Sequence, residues 1–141
     1  MIQIEAIHHY ALSVKNIDET IKWYEEMFGF TLERRFGFPE LKTEIAHILL
    51  PVGIRIELLY TENSSSSPDL GKDAFGAIAN QGSKHIGLQV VNVSEAAAQL
   101  KAKGVSVLHD VTRVEVAGVT NFWVLDNEGN HIELAEPIKQ K

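Results

Sequence analysis

The chain is written twice. Displacing it by 76 positions (85 − 9) sets the second half on the first without a gap at either end of the match. HYALSVKNIDE at 9–19 falls on HIGLQVVNVSE at 85–95, and GIRIELL at 53–59 falls on GNHIELA at 129–135. The identical pairs include His9/His85, Leu12/Leu88, Val14/Val90, Asn16/Asn92, Glu19/Glu95, Gly53/Gly129, Ile56/Ile132, Glu57/Glu133 and Leu58/Leu134. In both copies the histidine precedes the glutamate by 48 residues (57 − 9 and 133 − 85). A repeat of this period makes two like modules the unit of the fold. A length of 141 residues is that of one ordinary domain with a real core.

Each copy carries the same local signals. Tyr10, Leu12 and Val14 alternate with small or polar residues, the pattern of a half-buried strand. Asn16 then offers an N-cap with Glu19 three residues on. Ile17, Ile21, Tyr24 and Phe28 follow at helical spacing, and Gly29 stands where a left-handed stop belongs. The second copy repeats this with Asn92, Glu95, Val93, Ala97 and Leu100, stopping at Gly104. Three further strands are expected after each helix, near 30–36, 42–50 and 54–61, then near 105–109, 113–125 and 131–135. Each module is therefore βαβββ, an α+β pattern of eight strands and two main helices. The modules span about 5–61 and 83–137 within a single 1–141 domain. The 62–82 connection carries a serine tract and room for a short helix in DLGKDAFGAIANQ. A loop of this length serves either as a lid or binding segment or as a plain spacer.

Bulk properties exclude several classes. A net charge of −6 gives no concentrated basic surface for nucleic acid. No run reaches the roughly 18 apolar residues of a membrane span, and MIQIEAIHHY lacks the layout of an export signal, which leaves the cytoplasm as the expected location. With no cysteine, thiolate nucleophiles and thiolate metal sites are absent.

Strand parity sorts the repeated residues by face. His9 goes with Ala11 and Ser13, away from Tyr10, Leu12 and Val14, whereas the neighbouring His8 falls on the apolar side. His85 goes with Gly87 and Gln89, Glu57 with Arg55 and Leu59, and Glu133 with His131 and Ala135. In every case the opposite face is apolar and suited to packing under a helix. Two imidazoles and two carboxylates, His9, Glu57, His85 and Glu133, suit one divalent first-row ion whose charge the carboxylates balance. On a six-coordinate ion they leave two adjacent positions for water or substrate. Taken singly, each is as well explained as an ordinary surface or core residue; the symmetry carries the metal reading. His8, His47, His109 and His131 have no such support.

HHYALSVKNIDETIKWYEEMFGF resembles the opening of the glyoxalase, bleomycin resistance and extradiol dioxygenase group, the vicinal oxygen chelate superfamily. FWVLDNEGNHIELAEP resembles its closing segment, an Asp-x-x-Gly turn before an Ile-Glu-Leu strand. The resemblance covers nearly the whole chain. It implies two βαβββ modules in a curved, incompletely closed mixed β-barrel around a metal, and commonly a homodimer. A fourth ligand at Glu57 is similar to lactoylglutathione lyases and to some epimerases, whereas oxygenase branches use two His and one Glu. The implied function is a lyase or isomerase that moves a proton next to a carbonyl through an enediolate, with nickel, zinc, cobalt, manganese or iron as the ion. The implied substrate is a small molecule with adjacent oxygens.

By the same resemblance the base is Glu133 or Glu57, or else Glu40, whose Pro39-Glu40 setting is similar to the acid–base segment of methylmalonyl-CoA epimerases. Without the resemblance, Glu40 reads as a plain turn carboxylate, and that reading is the preferred one. Ser13 and Thr61 stand where glutathione-dependent lyases carry Arg and Asn, and LDNEGNHIEL lacks the Lys-Ser-rich turn of the epimerases. Two other functions remain on the same residues. One is an Fe(II) oxygenase. The other is a metal-independent protein that binds a small apolar compound beside Phe122 or Trp123, residues that alternate and are also natural core packers.

Overall fold

An asparagine turns the first strand of each copy into a helix. In the computed structural model, which describes residues 1–139, Asn16 is extended and its side chain accepts from Glu19 N–H at 3.1 Å. This starts α1 (Ile17–Phe28), which follows β1 (Tyr10–Ser13). Gly29 ends α1 at φ 78°, the left-handed conformation that glycine adopts without penalty. Three strands follow, β2 (Thr31–Phe38), β3 (Thr43–Leu49) and β4 (Arg55–Thr61). After a short α2 (Ala74–Ala77), the second copy repeats the order as β5 (His85–Gln89), α3 (Val93–Ala102), β6 (Ser106–Val114), β7 (Val119–Leu125) and β8 (His131–Pro137). Asn92 caps α3 through Glu95 N–H at 2.9 Å, and the Glu136 carboxylate takes the free N–H of Val93.

The chain divides into two compact units at Ser65/Ser66. The first holds a sheet in the order β1-β4-β3-β2, the second a sheet in the order β5-β8-β7-β6. In each, the first strand pairs in parallel with the last, and the other pairs are antiparallel. The fold is thus α+β, two four-stranded mixed sheets with helices. The apolar faces lie as the alternation requires. Leu12, Val14, Ile56 and Leu58 are buried in the first unit with Ile17, Tyr24 and Phe30. In the second, Leu88, Ile132, Leu134, Phe122 and Val124 are buried with Val93, Ala97 and Leu100. Each fully buried Leu, Ile or Phe side chain contributes about 1.5–3 kcal/mol.

One expected strand was misplaced. The segment 113–125 is not continuous: β6 runs on to Val114, a 3-10 turn spans Glu115–Ala117, and Gly118 at φ 69° sends the chain back into β7. The repeat already contains the correct layout, since β2 also runs into a 3-10 turn, Pro39–Leu41, closed by Lys42 at φ 50°. Register shifts in β6 at Val107/His109 and His109/Thr112 break its alternation and hide its length in the sequence. Among the described residues no helix is long and apolar enough to cross a membrane.

The connecting segment docks on its own unit from Ser66 onward. Asp69 accepts from Lys84 Nζ and Asn80 Nδ2, both at 2.7 Å. Gly71 N–H donates to the Gly129 carbonyl at 3.0 Å, His131 Nε2 donates to the Lys72 carbonyl, and Ala74 N–H reaches His109 Nε2 at 3.4 Å. The bonds from Asn80 and Lys84 hold the Asp69 carboxyl below its ordinary range. A depressed carboxyl stabilises the fold above its unfolded value and loses that contribution as pH falls through the folded one. We expect Asp69→Asn to lower the urea midpoint at pH 6, with the difference from the parent shrinking as pH falls below about 4. Gly129 combines φ 89° with a position where an added Cβ would lie 3.0 Å from Gly71 N. Gly53, its counterpart, has φ 92° and open space. Gly129→Ala is therefore expected to cost about 1–3 kcal/mol and to cost more than Gly53→Ala, measured by urea unfolding.

Candidate functional site

The 48-residue gap between histidine and glutamate closes because first and last strands pair in parallel. Ala11 is opposite Glu57 in one unit and Gly87 is opposite Glu133 in the other. These small neighbours leave the carboxylates clear; a Cβ on Gly87 would sit 3.9 Å from Glu133 Oε2. His9 Nε2 then lies 3.6 Å from Glu57 Oε1, and His85 Nε2 lies 3.3 Å from Glu133 Oε2. The four side chains are one-fifth to one-third exposed. So the structure brings together one His–Glu pair in each unit. Among the described residues no group of three or more His, Cys, Asp or Glu is gathered closely enough to hold an ion.

The His85–Glu133 separation falls in the range of neighbouring ligands of one ion, and the His9–Glu57 separation lies just beyond it. Bonds of about 2.0–2.2 Å to nitrogen and oxygen put adjacent donor atoms roughly 3.0–3.5 Å apart. The remaining oxygen of each carboxylate is engaged from the antiparallel strand on its other side. Glu133 Oε1 accepts from Asn121 Nδ2 at 3.0 Å. Glu57 Oε2 lies 2.7 Å from His47 Nε2. Both arrangements leave the histidine-facing oxygen free for a further partner, as expected of carboxylates supported by hydrogen bonds behind a metal.

His8 and His9 both lie before β1, so the strand parity that separated them in the sequence covers neither. His8 is exposed, and its Nδ1 is 2.8 Å from His9 Nδ1. Its carbonyl accepts from Arg55 Nη1 at 3.2 Å. Arg55 in turn forks onto both oxygens of Glu33, at 2.6 and 2.8 Å. This bond pulls the Glu33 carboxyl below its ordinary range and raises the Arg55 guanidinium. With His9 Nδ1 occupied, Nε2 is the nitrogen presented to Glu57.

Sequence reasoning found no support for His47 and did not consider Asn121. The signal for His47 was present: counting back around the Pro51–Gly53 turn places His47 opposite Glu57, as the observed ladder does. Asn121 gave less, because it pairs with Ala135 and reaches Glu133 diagonally. Trp123, not Asn121, is opposite Glu133. Its ring meets His85 edge-on at 4.6 Å, while Phe122 is wholly buried. Glu40 is exposed in the 3-10 turn beyond the Thr43 end of β3, four rungs from the His47 and Glu57 pair. A shallow depression of about 400 Å³ there is lined by Pro39, Thr43, Glu44 and Tyr60. It includes none of His9, Glu57, His85 and Glu133.

The family model for the Glyoxalase/Bleomycin resistance protein/Dioxygenase superfamily matches residues 6–134. A lactoylglutathione lyase of Arabidopsis thaliana is 29% identical over 131 residues, which is 91% of this chain and 43% of that protein. The chain thus spans less than half of that relative's length. Among solved structures, a glyoxalase family protein from Enterococcus faecalis superposes with a TM-score of 0.78 at 22% identity, covering 94% of this chain and 98% of that one. The trypanothione-dependent glyoxalase I of Leishmania major superposes at 0.68 with 24% identity, covering 94% and 87%. At these identities the structural likenesses establish the fold.

Shortening the amide that supports Glu133 separates the two units' pairs experimentally. Asn121→Ala leaves Oε1 without its donor and is expected to cost about 0.5–1.5 kcal/mol of stability. Asn121→Asp, which sets a second carboxylate against Glu133, should cost more, measured by thermal unfolding.

Proposed function

The chain belongs to the Glyoxalase/Bleomycin resistance protein/Dioxygenase superfamily, and from that premise we propose that it is a divalent-metal-dependent lyase or isomerase. The reaction is proton transfer next to a carbonyl through an enediolate, glyoxalase-like or epimerase-like. The observation that carries this reading is the duplicated His–Glu pair, with donor separations of 3.6 and 3.3 Å. His9 and Glu57 from one copy and His85 and Glu133 from the other would hold one nickel, zinc, cobalt, manganese or iron ion, whether the pairs come from one chain or from two copies. When bound, the ion polarises an oxygen of a substrate with two adjacent oxygens and stabilises the charge that develops there, an effect of several kcal/mol.

The protein's own part is to orient and to move the proton. Asn121 holds one oxygen of Glu133 and leaves the other beside His85. Such a carboxylate can take a carbon-bound proton and return it to the neighbouring carbon. A positioned base of this kind contributes typically about 10²–10⁴-fold. Glu57 is the alternative base. Glu40, the third candidate by resemblance, stands on an exposed turn beyond the Thr43 end of β3, four rungs from the His47 and Glu57 pair.

Ser13 and Thr61 argue against glutathione as the thiol, because each replaces a group able to hold its charged ends. The lactoylglutathione lyase relative supports a thiol adduct as the first substrate class to test, and the trypanothione-dependent structure is an example of this fold with a thiol other than glutathione. A homodimer is part of the reading. All eight residues of β2 are exposed, among them Leu32, Phe36 and Phe38, and an uncovered edge strand of this kind is suited to a second copy.

Elemental analysis of the untagged protein beside Glu57→Ala tests the reading. We expect about one nickel, zinc, cobalt or manganese ion per chain, lost in the variant. Iron retained by Glu57→Ala would bring forward an oxygenase using His9, His85 and Glu133, and no metal after reconstitution would leave a binding protein. Glu133→Gln is expected to lower kcat on 2-oxoaldehyde–thiol adducts or acyl-CoA epimers at least about 10²-fold. Light scattering should give about twice the 15.7 kDa of one chain.

A further inference from the structure

The two copies differ in the residue that stands opposite the glutamate, a position the four-ligand pattern does not use. The residue opposite the glutamate is His47 in the first unit and Trp123 in the second, related by the same offset of 76 (123 − 47). Trp123 packs against its histidine, edge-on to His85. His47 engages its glutamate instead, with Nε2 2.7 Å from Glu57 Oε2. Its side chain is 14% exposed, against 34% for His9. The ring also stacks on His9, with centroids 6.1 Å apart and planes within 22°. Phe36 closes the other side edge-on at 5.7 Å. One imidazole therefore bonds Glu57 and stands beside His9.

We propose that His47 is a positioning residue for Glu57, an inference that rests on the metal-binding reading above. An ionised carboxylate only accepts hydrogen bonds, so the contact requires a proton on His47 Nε2, which the neutral ring carries in one of its tautomers. Oε2 is then committed to His47. Oε1, the oxygen beside His9 Nε2, is left as the sole donor to the ion. His47 thus makes Glu57 a one-oxygen ligand with a fixed direction. A carboxylate without this tether could turn, bind through both oxygens or swing away. Glu133 is held by an amide from a diagonal neighbour, so the two carboxylates are not equivalent even though the sequence repeats them. The partner of Glu57 is a ring that stands between those of His9 and Phe36.

Two substitutions separate the donor from the ring. His47→Gln keeps an N–H donor of similar reach and loses the ring; His47→Phe keeps the ring between Phe36 and His9 and loses the donor. Nickel(II) dissociation constants are measured by competition with a chromophoric chelator, and visible spectra are recorded for the cobalt(II) forms. If His47 positions Glu57, His47→Phe weakens nickel about 10–100-fold and changes the cobalt spectrum, and His47→Gln stays near the parent in both. Parent-like nickel binding in His47→Phe overturns the proposal. Equal weakening in both variants also overturns it, since the ring and not the hydrogen bond would then matter. Thermal unfolding confirms that each variant is folded, and His47→Leu replaces His47→Phe if the latter is not. A parent protein that binds no nickel, or binds it unchanged in Glu57→Ala, overturns the four-ligand reading itself, and the His47 proposal falls with it.

Discussion

Everything at the candidate site depends on one backbone pairing made twice, the parallel ladder between the first and last strands of each module. Without it, His9 and Glu57 are separated by a helix and two strands. With it, Ala11 sits beside Glu57 and Gly87 beside Glu133, and each histidine comes within 3.6 Å or less of its carboxylate. A parallel pair needs a long crossover, and here α1 with β2 and β3, or α3 with β6 and β7, supplies it. The helix therefore has two functions. It buries the apolar face of its sheet, and it spans the distance that lets chain-distant residues meet on the other face.

The remaining polar groups are arranged around the last strand of each module, which has a neighbour on both sides. From the parallel side comes the imidazole, from the antiparallel side a hydrogen-bond donor. This leaves one oxygen of Glu57 and one of Glu133 oriented toward a histidine, with the other tied back. Small residues opposite the carboxylates keep the face open. The linker bonds through Gly71, Lys72 and Ala74 fall on the second unit at Gly129, His131 and His109. His131, which parity placed beside Glu133, is thereby committed to a backbone carbonyl.

Where the sequence reading succeeded, a short-range rule was sufficient. Asn16 and Asn92 as caps, Gly29 as a stop and the buried sides of β1, β4, β5 and β8 are local or period-two signals. Where it failed, the rule was interrupted. Register shifts in β6 concealed its length, and the start of β1 at Tyr10 removed the parity argument from His8 and His9 alike. His47 was legible in principle from the hairpin turn, but a single histidine on a strand gave no reason to count. Asn121 was not legible, since its bond to Glu133 runs diagonally between strands.

The sequence alone determined the two modules, the order of their elements, the apolar faces and the identity of the repeated His and Glu residues. These follow from periodicity and from the offset that superimposes the copies. The tertiary structure decided which oxygen and nitrogen atoms face one another, that His8 and His47 stand beside His9, and that Trp123 and His47 serve different residues. The physical reason is that a repeated sequence fixes register but not side-chain direction. Packing by Phe36, His85 and the neighbouring strands sets that direction, and those neighbours are not the same in the two copies.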